Sequence, residues 1–71
     1  MTLDKGRPGE RYTVRSLSLP EAVAHRLEAL GMTVDTGVTV LENKSRGTLV
    51  VKVRGTRFAM GRGITGKIEV E

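Results

Sequence analysis

The chain of 71 residues contains no cysteine and no tryptophan, and only one phenylalanine, one tyrosine and one histidine. Without cysteine no disulfide framework can form, and metal or redox sites built on thiolates are excluded, so a reducing compartment is the natural home. So few aromatics force the core to be aliphatic, and nucleic-acid modules that stack bases on exposed rings have little to work with. No stretch approaches the ~20 apolar residues needed to cross a bilayer. Met1 to Gly9 carries Asp4, Lys5 and Arg7 where a signal peptide would be apolar. These absences predict a soluble, cytoplasmic protein. Its length predicts a single domain over residues 1–71 with one core, residues 1–9 being a polar lead-in.

Charge is present but dispersed. Twelve Lys and Arg against eight Asp and Glu leave a formal net charge of +4, a balance that can favour nucleic acid or anionic surfaces. Arg11, Arg15, Lys52, Arg54, Arg57 and Lys67 fall mostly at alternating strand positions, where long cations also form a solvated face and protect sheet edges.

Periodicity predicts the elements. Tyr12 and Val14 alternate with Arg11, Thr13 and Arg15 as in a half-buried strand. Ser18-Leu19-Pro20-Glu21 reads as a capping box opening a helix, with Leu19, Val23, Leu27 and Leu30 as its apolar stripe and Gly31 as its left-handed stop. Met32 is placed to fold back on the last turn. After a turn at Asp35-Thr36-Gly37 the period returns to two in Val38 and Val40, then Leu49, Val51 and Val53, then Phe58 and Met60, then Ile68 and Val70. Hairpin loops are expected at Ser45-Arg46-Gly47 and Gly55-Thr56, and a glycine-bearing crossover from Gly61 to Gly66. Five short strands with one helix after the first predict a mainly β fold, a strongly bent antiparallel sheet or partly open barrel. The expected core is Tyr12, Val14, Val23, Leu27, Leu30, Val38, Val40, Leu49, Val51, Val53, Phe58, Ile68 and Val70.

Chemical motifs are fragmentary. Gly61 to Gly66 matches G-x-G-x-x-G, and with Lys67 nearly matches a phosphate-binding loop, but Ile68 stands where a magnesium-binding hydroxyl is needed and no helix has room to follow. Its glycines are expected to supply positive φ in the crossover. His25 lies between Glu21 and Glu28 on the helix, a row able at most to hold a divalent ion loosely. Catalytic triads and paired buried carboxylates find no candidates. No enzymatic activity, catalytic residue, metal site or cofactor is expected.

The segment Ala24-His25-Arg26-Leu27-Glu28-Ala29-Leu30-Gly31-Met32, followed by Gly37-Val38-Thr39-Val40-Leu41, Val51-Lys52-Val53-Arg54-Gly55 and Ile68-Glu69-Val70, resembles the FeoA family of small ferrous-iron transport proteins across roughly residues 10 to 71. The resemblance implies an SH3-like barrel of five strands, partly open, with one short helix after the first strand. It also implies a cytoplasmic accessory that binds the cytoplasmic GTP-binding part of a membrane-bound FeoB-type transporter. Two alternatives accompany it: an SH3-like nucleic-acid module, and a regulatory domain related to iron-dependent repressors. A purely structural adaptor is a third. A protein without catalytic groups must act through a surface. Two patches are expected to serve: Arg26, Leu30, Met32 and Val34 around the helix end, which combine a cation with apolar side chains, and Lys52, Arg54 and Arg57 on the basic strand face. Nucleic acid is expected to bind only through non-specific charge.

Overall fold

Alternation of apolar and polar side chains yields five strands, β1 Arg11–Leu17, β2 Gly37–Asn43, β3 Thr48–Val53, β4 Thr56–Gly61 and β5 Ile68–Val70, with helices α1 Glu21–Ala29 and α2 Arg62–Thr65. The computed structural model describes residues 1–44 and 47–71, so most of the hairpin loop expected at Ser45-Arg46-Gly47 lies outside the described residues. All strands are antiparallel neighbours in the order β4-β3-β2-β1-β5. β1 turns one sheet into a barrel wall by serving two partners. Arg11 to Thr13 pair with β2, Val14 to Leu17 pair with β5, and a register shift falls between Val14 and Ser16. A second shift interrupts β2–β3 between Val40 and Glu42. Extra residues of this kind bend a strand and increase its twist. The terminal strands β4 and β5 do not pair; α2 spans the gap, so the barrel is partly open.

The core is aliphatic throughout: Leu3, Val14, Leu27, Met32, Val38, Val40, Leu49, Val51, Val53, Met60, Ile68 and Val70 are buried. Tyr12, Leu17, Leu19, Phe58 and Ile64 pack on it while half-buried. Two expected core residues do not join: Val23 is only half-buried, and Leu30 is 42% exposed. α1 has nine residues and presents a single fully buried side chain, Leu27, so its stripe is narrower than its spacing suggested.

Both helix ends differ in how well local rules foretold them. At the C-terminus, the Met32 amide donates to the Leu27 carbonyl at 2.9 Å and the Gly31 amide to the Glu28 carbonyl at 2.9 Å, with Gly31 at φ 98°. This is a Schellman motif, in which the residue after the glycine folds back onto the last turn. Met32 is accordingly in the core with Leu27. At the N-terminus the expected capping box is absent. Pro20 occupies the cap position with no side-chain bond, and the Ser18 amide is already committed to the Lys67 carbonyl at 2.9 Å, two residues too early to cap.

The lead-in is not a loose tail. Leu3 is fully buried in a short 3-10 turn, Thr2 bridges Glu69, and the Val70 amide donates to the Met1 carbonyl at 2.8 Å. Arg62 fastens this segment: its Nη1 donates to the Asp4 carbonyl at 3.1 Å, and its Nη2 to Asn43 Oδ1 at 2.7 Å and the Lys44 carbonyl at 2.8 Å. Asn43 Nδ2 in turn donates to the Gly6 carbonyl at 2.6 Å. The crossover glycines also act otherwise than expected. Gly61 and Gly66 have φ of −76° and −67° as the flanks of α2, and no glycine from 61 to 66 has positive φ.

Candidate functional site

The β3–β4 turn is set by two residues of positive φ, Arg54 at 50° and Gly55 at 83°, between the paired Val53 and Thr56. That is the two-residue hairpin turn whose twist suits right-handed strands. It lies one residue earlier than the Gly55-Thr56 turn expected from the sequence. Arg54 thereby projects toward the end of α1. A Cβ placed on Gly31 would fall 2.9 Å from Arg54 Cδ, so the glycine that ends the helix also makes room for the arginine stem. The loop between helix and β2 completes the wall. The Asp35 amide donates to the Val14 carbonyl at 2.8 Å, and the Thr33 and Thr36 hydroxyls share a hydrogen bond of 2.7 Å. Together these elements enclose an open groove of about 690 Å³, bounded by Arg11, Val34, Asp35, Lys52 and Arg54 with the hydroxyls of Thr33, Thr36 and Thr39.

Register decides its charge. Arg11 faces Thr39, Thr39 faces Lys52, and Lys52 faces Arg57. Residues directly opposite on antiparallel strands share a face, so three cations form one row across β1 to β4 on the outer side of the barrel. The Arg11 guanidinium lies against Gly37, where any side chain would collide with it. Among the described residues no carboxylate pairs with Arg11, Lys52, Arg54 or Arg57. Asp35, the one acid bordering the groove, is taken by Arg15 Nη1 at 2.8 Å. Arg15 also pairs with Glu71. Its guanidinium is held above its ordinary pKa, first by the hydrogen bond to Glu71 and the charge of that carboxylate, which outweigh desolvation, with Asp35 adding less.

The two patches expected from the sequence are therefore partly one. Val34, 52% exposed, shares the groove with Lys52 and Arg54, and Arg57 extends it as the neighbour of Lys52. Arg26 on α1 and the exposed Leu30 at its C-cap lie outside the groove's border. Met32 does not belong to any surface: it has no exposure, because the Schellman turn carries it inward. Sequence reading missed Arg11 as a member, having placed it only on a solvated strand face. Nothing local distinguishes it; the β1–β2–β3 register alone brings it beside Lys52.

Other candidate chemistry disperses. His25 Nε2 stands 3.8 Å from Glu21 Oε1 on an exposed helix face, and Glu28 forms no pair with it. Among the described residues no three His, Cys, Asp or Glu converge on a metal-sized site. Around the glycine-rich stretch, α2 spans four residues, and the guanidinium of Arg62 is spent on Asn43 and two carbonyls. Among the described residues no helix is long and apolar enough to cross a membrane.

Comparison with known proteins places this architecture. A curated protein of Methanocaldococcus jannaschii, named as an Fe(2+) transport protein A, is 28% identical over 65 residues, which cover 92% of this chain and 78% of that protein. The crystal structure of an iron uptake regulatory protein, FeoA, superposes with a TM-score of 0.91 at 28% identity, covering all of this chain and 95% of the other. At the level of fold alone, a manganese-dependent transcriptional repressor is similar at 20% identity with a TM-score of 0.84, this chain covering 39% of it. The family model for the FeoA domain matches residues 1–71. With five antiparallel strands, one nine-residue helix and a match that runs over its whole length, the chain belongs to the FeoA domain family, an SH3-like barrel associated with Fe(2+) transport.

Proposed function

We propose that this protein is a non-enzymatic accessory of ferrous-iron uptake that works in the cytoplasm by binding the cytoplasmic part of a FeoB-type transporter. The observation that carries the reading is the convergence of Val34, Lys52 and Arg54 on one groove, in a family associated with Fe(2+) transport. A surface that joins an exposed aliphatic side chain to unpaired cations has the composition of a protein-docking site. Arg26 and Leu30, exposed on the adjacent helix end, extend that surface on one side and Arg57 on the other.

Interferometry against the transporter's cytoplasmic GTP-binding domain tests this. Val34→Asp and Arg26→Glu are expected to weaken association while the barrel stays folded, since both side chains are exposed. Unchanged binding by both folded variants would overturn this surface, and no binding by the wild-type protein would overturn the accessory role. Met32→Asp is unsuited to the same purpose, because a carboxylate there would be buried without a partner.

A further inference from the structure

We propose that the groove receives an extended, acidic segment of the partner protein, its carboxylates meeting Arg11, Lys52 and Arg54. This deepens the reading above and rests on it for the partner's identity. Three observations point the same way. First, among the described residues the cations of the groove pair with no carboxylate, while the acid at its rim is already held by Arg15. Second, Lys52 stands directly opposite Arg57. Like charges so placed on neighbouring strands destabilise a sheet, and a bound anion relieves that repulsion. Third, Val34, 52% exposed, borders the same groove and sets an aliphatic contact beside these cations.

The shape and the rim choose a peptide over other anions. Adjacent strands are ~4.8 Å apart, so the row from Arg11 to Arg57 spans about 14 Å, the length of four or five extended residues. The open trough is lined by Thr39 and by the Thr33–Thr36 pair, whose mutual hydrogen bond leaves one of its two hydroxyl protons for such a chain, and Val34 offers an aliphatic contact beside them. A nucleic-acid strand would need stacking faces. Tyr12 and Phe58, the only tyrosine and phenylalanine, are half-buried on the core, the Tyr12 hydroxyl accepts a hydrogen bond from the Arg7 amide at 2.9 Å, and the exposed His25 lies on α1 outside the groove's border.

The test uses a fluorescein-labelled peptide of alternating Glu and Val, with a Lys-Val peptide and an oligouridylate of equal length as comparators. Anisotropy titrations are read alongside amide chemical shifts of the full-length protein. The expected result is binding of the Glu-Val peptide, weakening as salt rises, with shifts centred on Thr36, Gly37, Thr39 and Gly55. The double variant Arg11→Glu, Lys52→Glu should lose at least tenfold in affinity while its amide spectrum remains that of a folded barrel. Equal or tighter binding of the Lys-Val peptide or the oligouridylate would overturn the proposal, as would shifts on another face or full affinity in the folded double variant. A concentration-dependent dimer abolished by the same double variant would overturn it by making a second copy the occupant. The transporter's cytoplasmic domain separates the two readings. If it binds the double variant as well as wild type, the groove falls as the partner's site and the accessory role stands. If it ignores the wild-type protein while the acidic peptide still seats in the groove, the accessory role falls and the groove's preference stands.

Discussion

Arg15 and Lys52 both project outward from strands of one sheet, yet the chain surrounds them in opposite ways. Arg15, near the β5 edge, is held between Asp35 and Glu71, and close by the terminal ammonium meets Glu69 at 2.8 Å. Lys52, toward the β4 edge, faces another cation and makes no ion pair among the described residues. The same contrast holds for the backbone. Thr2 bridges the outer side of β5 and Leu3 plugs the barrel beneath it, whereas among the described residues nothing of the kind covers the groove side. One edge is finished by the chain itself, and the other keeps its charges uncompensated. A domain of this size has only a few kcal/mol of net stability, so a charge arrangement that costs stability points to a use outside the fold.

The most severe test of that contrast removes the plug. Leu3→Ala should destabilise by about 2–5 kcal/mol, the range for truncating a fully buried leucine, whereas Val34→Ala on the groove side should change stability by less than ~0.5 kcal/mol. Urea midpoints would show it, and similar effects from the two would mean that the lead-in does not seal the barrel.

Next in size is the clamp that ties the lead-in to α2 and β2. Arg62→Ala abandons Asn43 Oδ1 and two carbonyls, and unsatisfied polar groups of this kind cost about 1–3 kcal/mol. Faster hydrogen exchange at the amides of Gly6 and Val70 should accompany the loss. Unchanged exchange there would detach the clamp from the finished edge.

A smaller effect of opposite sign is expected at the open edge. Lys52→Glu turns a like-charge pair with Arg57 into an attractive one and should stabilise the barrel by about 0.2–1 kcal/mol, while weakening partner binding. A variant that loses stability would show that Lys52 is already satisfied within the fold.

The smallest change is expected at Arg15→Gln, since exposed ion pairs contribute little. Its pH dependence has a definite sign. A guanidinium whose folded pKa is raised contributes stability that is complete below its unfolded value and is lost only as pH climbs past the folded one. The difference in thermal midpoint between wild type and variant should therefore be the same at about pH 6 and about pH 9. A difference that grows or vanishes within that window would show that another group controls the pair.

What the sequence determined by itself is everything that depends on neighbours a few residues apart. Period-two alternation placed Val38, Val40, Leu49, Val51, Val53, Ile68 and Val70 on the inner face, because a strand's side chains must alternate. Gly31 before Met32 specified the helix stop, because only a residue at ease with positive φ lets the next one fold back. Partners distant in the chain were beyond such rules. Leu3 looked like one apolar residue in a polar tail until β5 and α2 gave it a cavity to fill, and Ser18 looked like a cap until Lys67 claimed its amide. The groove is of this second kind. Arg11 and Lys52 are far apart along the chain, and only the register of β1 on β2 and β2 on β3 sets them in one row, with Thr39 between them. Register is a collective property of paired backbones, shifted here by two bulges, and a slip of one residue would turn every one of these side chains to the other face.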